Sequence, residues 1–127
     1  MIEKTKCILV TDDDPAICQL ISAVFRTSEF QVLEARDGIE ALQRIDVFGS
    51  AIDVLLIDVV MPRLNGAELA RIILSCHPTI KIVFISGHPA DVVDRHGIPA
   101  SKLRYLKKPF TPDVLEQTVR DVLKKQD

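Results

Sequence analysis

Apolar residues along this chain fall into two alternating patterns. Short apolar blocks occur at Cys7-Ile8-Leu9-Val10 and Val54-Leu55-Leu56-Ile57, both unbroken, and at Ile80-Lys81-Ile82-Val83-Phe84-Ile85, interrupted only by Lys81. Two weaker blocks lie at Phe30-Gln31-Val32-Leu33-Glu34 and Leu103-Arg104-Tyr105-Leu106. Such blocks, bounded by turn residues, read as short strands; the unbroken ones suit strands buried on both faces, and the more polar second block suits a sheet edge.

Between the blocks, apolar residues recur at helical spacing. Asp14-Pro15 supplies a side-chain acceptor at an N-cap and a proline at the first helical position, ahead of Ile17, Leu20, Ile21, Val24 and Phe25. Asp37-Gly38 opens a second helix with Ile39, Leu42, Ile45 and Phe48 on one side and Gly49 past its end. Beyond Pro62, Asn65 and Glu68 form a variant capping box before Leu69, Ile72, Ile73 and Cys76. A short helix is expected between Pro89 and Gly97, closed by Gly97 and Pro99. A last helix starts at Thr111-Pro112 and turns Val114, Leu115, Thr118, Val119 and Val122 inward. Five strands alternating with five helices predict an α/β fold: right-handed crossovers and a parallel sheet covered on both faces.

The stretch Asp53 to Pro62 organises the rest. Its apolar run ends at Asp58, and a buried strand gains nothing from a charge there. A lone aspartate after a strand is commonly a turn residue. In open α/β sheets, however, ligands bind outside the carboxyl ends of the strands. The other strand ends also carry polar groups: Asp12 and Asp13 after the first, Ser86 after the fourth, Lys108 after the fifth. Asp14 is explained as a cap, which leaves Asp12 and Asp13 without a capping role.

Two carboxylates about 4 Å apart at a half-exposed site repel by about 4 kcal/mol at an effective dielectric near 20. Gathered acidic groups therefore recruit a cation or shift a pKa. With oxygen ligands and no histidine or cysteine at the strand ends, the expected ion is hard, and Mg²⁺ suits few carboxylates with water and a phosphate oxygen. Lys108 would supply a compact positive charge, and Ser86 a neutral donor.

Composition narrows the class. At 127 residues the chain fits one domain, 1–127, without disulfide or metal staples. A net charge of −2 gives no general attraction to nucleic acid or anionic lipid. Cys7, Cys18 and Cys76 are odd in number and sit in apolar pattern, which reads as reduced core thiols and a cytoplasmic setting. His77, His88 and His96 lack metal-ligand spacing and read as surface or turn residues. No bilayer-spanning run or signal-peptide core is visible, so no membrane association is expected.

Taken in order, Asp12-Asp13, Asp58-Val59-Val60-Met61-Pro62, Ile85-Ser86-Gly87 and Tyr105-Leu106-Lys107-Lys108-Pro109-Phe110 resemble the receiver domain of two-component response regulators. Each motif alone is weak; the four together span nearly the whole chain. The resemblance implies a flavodoxin-like (βα)5 three-layer sandwich with strand order 2-1-3-4-5. It implies that Asp58 accepts a phosphoryl group from a phosphohistidine of a sensor histidine kinase or histidine phosphotransfer protein. Asp12, Asp13, Asp58 and the backbone carbonyl of Val60 would hold Mg²⁺. Lys108 would contact the phosphoryl oxygens, across a Lys108-Pro109 bond that is cis in such domains. Ser86 and Tyr105 would act as the switch, altering the face made by the short helix, the fifth strand and the last helix. Output through protein contacts is then expected, either from a free-standing regulator or from a receiver of a hybrid kinase.

Three other functions fit the residues less well. A haloacid-dehalogenase-like phosphatase would use Asp12 in an Asp-x-Asp motif with Asp14, but Pro15-Ala16 continues that motif poorly and Asp58 stays unexplained. A receiver-fold interaction module without phosphorylation would have no need of all these polar residues. A flavin-binding electron carrier would need a Ser/Thr/Gly-rich loop after the first strand, where Thr11-Asp12-Asp13-Asp14 stands instead.

Overall fold

The computed structural model describes residues 6–27, 29–59, 66–87 and 104–124. Five strands, β1 (Lys6–Thr11), β2 (Phe30–Ala35), β3 (Val54–Asp58), β4 (Lys81–Ser86) and β5 (Tyr105–Lys107), form one sheet in the order β2-β1-β3-β4-β5. Every neighbouring pair is parallel. Helices α1 (Pro15–Val24), α2 (Gly38–Phe48), α3 (Gly66–Cys76) and α4 (Pro112–Lys124) pack on the two faces, with a 3-10 turn at Gly49–Ala51. The expected helix between Pro89 and Gly97 lies outside the described residues, as do Val60, Pro62, Asn65, His88, His96 and Leu103.

Side-chain alternation along the strands builds two cores. Cys7 and Leu9 of β1, with Leu55 and Ile57 of β3, pack against Ala41 and Ile45 of α2 and Leu69 and Ile73 of α3. Ile8, Val10, Val54 and Leu56 point the other way, toward Cys18, Ile21 and Phe25 following α1 and toward Leu115, Val119 and Val122 of α4. All five residues of the central β3 are buried, whereas β2 is mixed, as expected of an edge. Asp53 falls just outside β3, where its Oδ2 accepts the Cys7 amide at 2.8 Å.

The expected starts of α1 and α2 are present. Asp14 Oδ1 accepts the Ala16 amide at 2.9 Å, with Pro15 opening α1. Asp37 Oδ1 accepts the Glu40 amide at 2.8 Å, and Glu40 Oε1 in turn accepts the Arg36 amide at 2.7 Å. Gly49 ends α2 with a φ of 51°, a left-handed conformation that glycine adopts without steric cost.

Four residues depart from the expected core. Ile39 is 42% exposed and Val114 51% exposed, because Ala41 and Leu115, turned toward the sheet, take the inward positions instead. Cys76 is exposed at the last residue of α3, so the cysteines are two core thiols and one surface thiol. Thr118, also expected inside, is half-buried and bends its hydroxyl back to the Val114 carbonyl at 2.7 Å. Away from the strand ends that carry the acidic groups, Arg120 of α4 lies 5.3 Å over the Phe30 ring and pairs with Glu29 and Glu116. Among the described residues, no helix is long and apolar enough to cross a membrane.

Candidate functional site

The sheet order makes neighbours of the four strands whose ends carry the singled-out residues. Thr11 is paired with Ile57, so Asp12 and Asp58 occupy the next step beyond a shared rung. Asp58 is paired with Ile85, and Ser86 with Lys107, which brings the β4 and β5 ends alongside. The Lys108 amide then donates to the Ser86 carbonyl at 2.8 Å, fixing where the lysine leaves the sheet. The Lys108-Pro109 bond is cis.

Asp12, Asp13 and Asp58 each present a carboxylate oxygen, all within 4.8 Å of one another. Their settings differ sharply: Asp12 is 0% exposed, Asp58 is 8% exposed, and Asp13 lies at the surface. Asp12 Oδ1 accepts the Asp14 amide at 2.9 Å, so Asp12 does have a local structural role that its sequence position did not reveal. Its Oδ2 is buried and has no hydrogen bond among the described residues. Lys108 Nζ stands 3.2 Å from that oxygen and 3.7 Å from Asp58 Oδ2.

Burial alone would lower the lysine pKa, and it is the largest single effect; the charges of Asp12 and Asp58, with hydrogen bonding to Asp12 and the charge of Asp14, outweigh it, so the ammonium is held above its ordinary range. Among the described residues, one ammonium against three carboxylates leaves a formal excess of two negative charges. That excess, the buried Asp12 oxygen with only the Lys108 ammonium against it among the described residues, and an all-oxygen donor set fit a hard divalent cation. Such a cation and the lysine together can neutralise a phosphoryl group presented to Asp58.

Ser86 is buried at the end of β4, beside the cluster in register. Tyr105 is not among the carboxylates: it opens β5, 47% exposed, with its ring centroid 6.5 Å from that of Phe84. The Val60 carbonyl lies outside the described residues.

Three residues at the site escaped the sequence reading. Gly66 opens α3 so close to β3 that an added Cβ would come within 2.5 Å of the Asp58 carbonyl oxygen. Thr11 is fully buried, and its hydroxyl has no hydrogen bond among the described residues. Cys18, in α1, directs its thiol to the Asp12 carbonyl at 3.5 Å. The glycine had a signal in its small size at the start of a helix; Thr11 was read only as part of the polar stretch after the first strand, and Cys18 only as a core thiol.

Residues 8–120 match the family model of the response regulator receiver domain. The chain is 34% identical to sensor kinase CckA of Brucella abortus over 120 residues, which are 94% of this chain and 13% of that protein. It is 30% identical to the transcriptional regulatory protein CpxR of Escherichia coli over 118 residues, 93% of this chain and 49% of that one. The chain therefore spans about half or less of the length of these curated relatives. Its fold superposes on the response regulator receiver protein of Sinorhizobium medicae with a TM-score of 0.83 at 27% identity, covering 98% of each chain. The strand order, the acidic strand ends and these likenesses agree, and the chain belongs to the response regulator receiver domains of two-component signalling.

Proposed function

We propose that Asp58 is the phosphoacceptor, taking a phosphoryl group from a phosphohistidine on a sensor histidine kinase or a histidine phosphotransfer protein. The observation that carries this reading is the single ammonium of Lys108 set between Asp12 Oδ2 and Asp58 Oδ2. An Asp58 oxygen forms the new P–O bond as the P–N bond to the imidazole breaks; the electron pair leaves on the ring nitrogen, which takes up a proton. Lys108 screens the incoming phosphoryl oxygens while β1 and β3 hold the carboxylates in place. Asp12, Asp13 and Asp58, with the Val60 carbonyl, are the residues we assign to Mg²⁺, which when bound supplies charge neutralisation for the transferring group.

Residues 1–127 are read as one receiver unit that catalyses only its own phosphorylation and dephosphorylation. Ser86 and Tyr105 are assigned to the switch. Half-exposed Tyr105 has room to turn, and phosphorylation need only favour a conformer already present. Output passes through protein contacts on the β5 and α4 side, in the cytoplasm; the net charge of −2 supports a protein partner over nucleic acid. The rival that makes Asp12 the nucleophile is disfavoured because that side chain is wholly buried and already beside Lys108, whereas the Asp58 side chain keeps 11% exposure.

Incubation with acetyl phosphate and Mg²⁺, followed by mass spectrometry of wild type and Asp58→Asn, tests this directly. One added phosphoryl group on wild type, mapped to Asp58 and absent from the variant, is expected. A phosphoryl group on Asp12, or none at all on wild type, overturns the reading.

A further inference from the structure

We propose that Cys18 is a positioning residue: its thiol holds the Asp12 backbone carbonyl and thereby sets the direction in which Asp13 presents its carboxylate to a divalent cation. The inference rests on the reading of Asp12, Asp13 and Asp58 as a cation site.

The geometry of the β1–α1 turn carries it. Cys18 is 1% exposed, one turn into α1, and its Sγ lies 3.5 Å from the Asp12 carbonyl oxygen. The same turn is tied at other points. The Asp12 amide donates to the Ala35 carbonyl at 3.1 Å, Asp12 Oδ1 accepts the Asp14 amide, and the Cys18 amide donates to the Asp14 carbonyl at 3.3 Å. Asp12 is thus anchored through its amide, its side chain and its carbonyl.

Asp13 is different. It is exposed, and among the described residues its carboxylate has no hydrogen bond or ion pair of its own. The direction of its side chain therefore depends on the backbone it hangs from. The peptide unit joining Asp12 to Asp13 is planar, so fixing its oxygen also fixes its nitrogen, and with it the starting point of Asp13. Cys18 grips that oxygen from the helix that follows. A thiol is a weak donor, but here it is buried against a carbonyl, where losing a neutral hydrogen bond costs about 0.5–1.5 kcal/mol. Because the bond is already made in the ion-free chain, only the part of this loss that the ion-free and ion-bound forms do not share reaches the affinity, so a factor of about two to twelve is the upper bound.

The test uses the full chain as wild type, Cys18→Ala, Cys18→Val and Cys18→Ser. Each is titrated with MgCl₂ alone and followed by backbone amide NMR, with the metal-free position of the Asp13 amide recorded first and thermal melting run in parallel. Alanine and valine, which lack a donor, are expected to displace the Asp13 amide before any ion is added and to weaken Mg²⁺ binding by about three- to tenfold. Serine, which keeps a donor, is expected to stay within about twofold of wild type. Valine fills the space without a donor and stands in for alanine if the smaller side chain fails to fold. The proposal is overturned if the donor-free variants bind Mg²⁺ as wild type does. It is equally overturned if serine is as impaired as they are, because the role is then packing alone. A wild-type chain that does not bind Mg²⁺ saturably overturns the cation-site reading itself; all four chains then give the same flat titration, which separates that outcome from the others.

Discussion

Lys108 Nζ lies 3.2 Å from Asp12 Oδ2, an oxygen that is buried and, among the described residues, otherwise without a hydrogen bond. The pair is asymmetric, since the lysine side chain keeps 27% of its exposure and the aspartate none. Taking away the lysine charge leaves a buried carboxylate without compensation beside two others. Lys108→Met is therefore expected to lose about 1–3 kcal/mol in urea melts at neutral pH without divalent ions, less than for a fully buried pair because water reaches the lysine. Added Mg²⁺ should restore more stability to the variant than to wild type. An unchanged midpoint in the variant would mean that the pair contributes nothing.

Alkaline pH should weaken the fold through two groups. Burial, the larger cause, and the nearby Glu34 and Asp12 charges push the Cys18 thiol from 9.0 up to about 11, and Lys108 is also held above its ordinary range. Both folded-state values are raised, so each contribution is fully present below the unfolded pKa and is lost as pH climbs through the folded one. For Cys18 the loss runs from pH 9 to about 11 and amounts to about 2–3 kcal/mol. Stability measured against urea should fall across that window, and the fall should be shallower in Cys18→Val. Parallel curves for the two chains would contradict the assignment.

Thr11→Val should stabilise the chain by about 1 kcal/mol. The hydroxyl is fully buried at the end of β1 with no hydrogen bond among the described residues, and valine keeps its shape while removing the polar atom. Differential scanning calorimetry is the check. A destabilised variant would show that the hydroxyl has a partner, such as a buried water.

Gly66→Ala should do the reverse. An added Cβ would come within 2.5 Å of the Asp58 carbonyl oxygen, 2.6 Å of Ile57 Cγ2 and 2.8 Å of Val59 Cα, two of which are backbone atoms that cannot swing aside. Overpacking of this kind costs about 1–3 kcal/mol. Because the strain falls on the residue proposed to accept the phosphoryl group, labelling by acetyl phosphate should slow as well. A variant as stable and as readily labelled as wild type would rule out the tight approach.

The sequence made some features legible because their causes are local. Asp14-Pro15 and Asp37 announce helix starts through atoms two or three residues away, and both caps formed as expected. The unbroken run ending at Asp58 marked a strand buried on both faces. What stayed hidden depends on partners distant in the chain or on which face wins. Arg120 meets Glu29 across 91 positions, and nothing near either residue signals it. Ile39 and Val114 fit an apolar stripe but yielded the inward place to Ala41 and Leu115, since the narrow contact between helix and sheet admits only part of a helical face. At the site, residue types and strand ends were readable, whereas the complete burial of Asp12 beside an exposed Asp13 required three dimensions.

The register of β1 against β3 has a consequence for how errors in this domain would show themselves. Thr11 opposite Ile57 leaves Asp12 and Asp58 abreast. Sliding β3 by one residue would turn every one of its side chains to the opposite face, and sliding it by two would keep the faces but carry Asp58 about 6.6 Å away. Neither displacement is compatible with carboxylate oxygens within 4.8 Å of one another. A two-residue slip would still give helical and strand content by circular dichroism, yet the misaligned molecule would have lost the gathered carboxylates proposed to hold an ion. If the proposed site takes up its ion, ion capture is a stricter proofreader of correct folding than any measure of secondary structure.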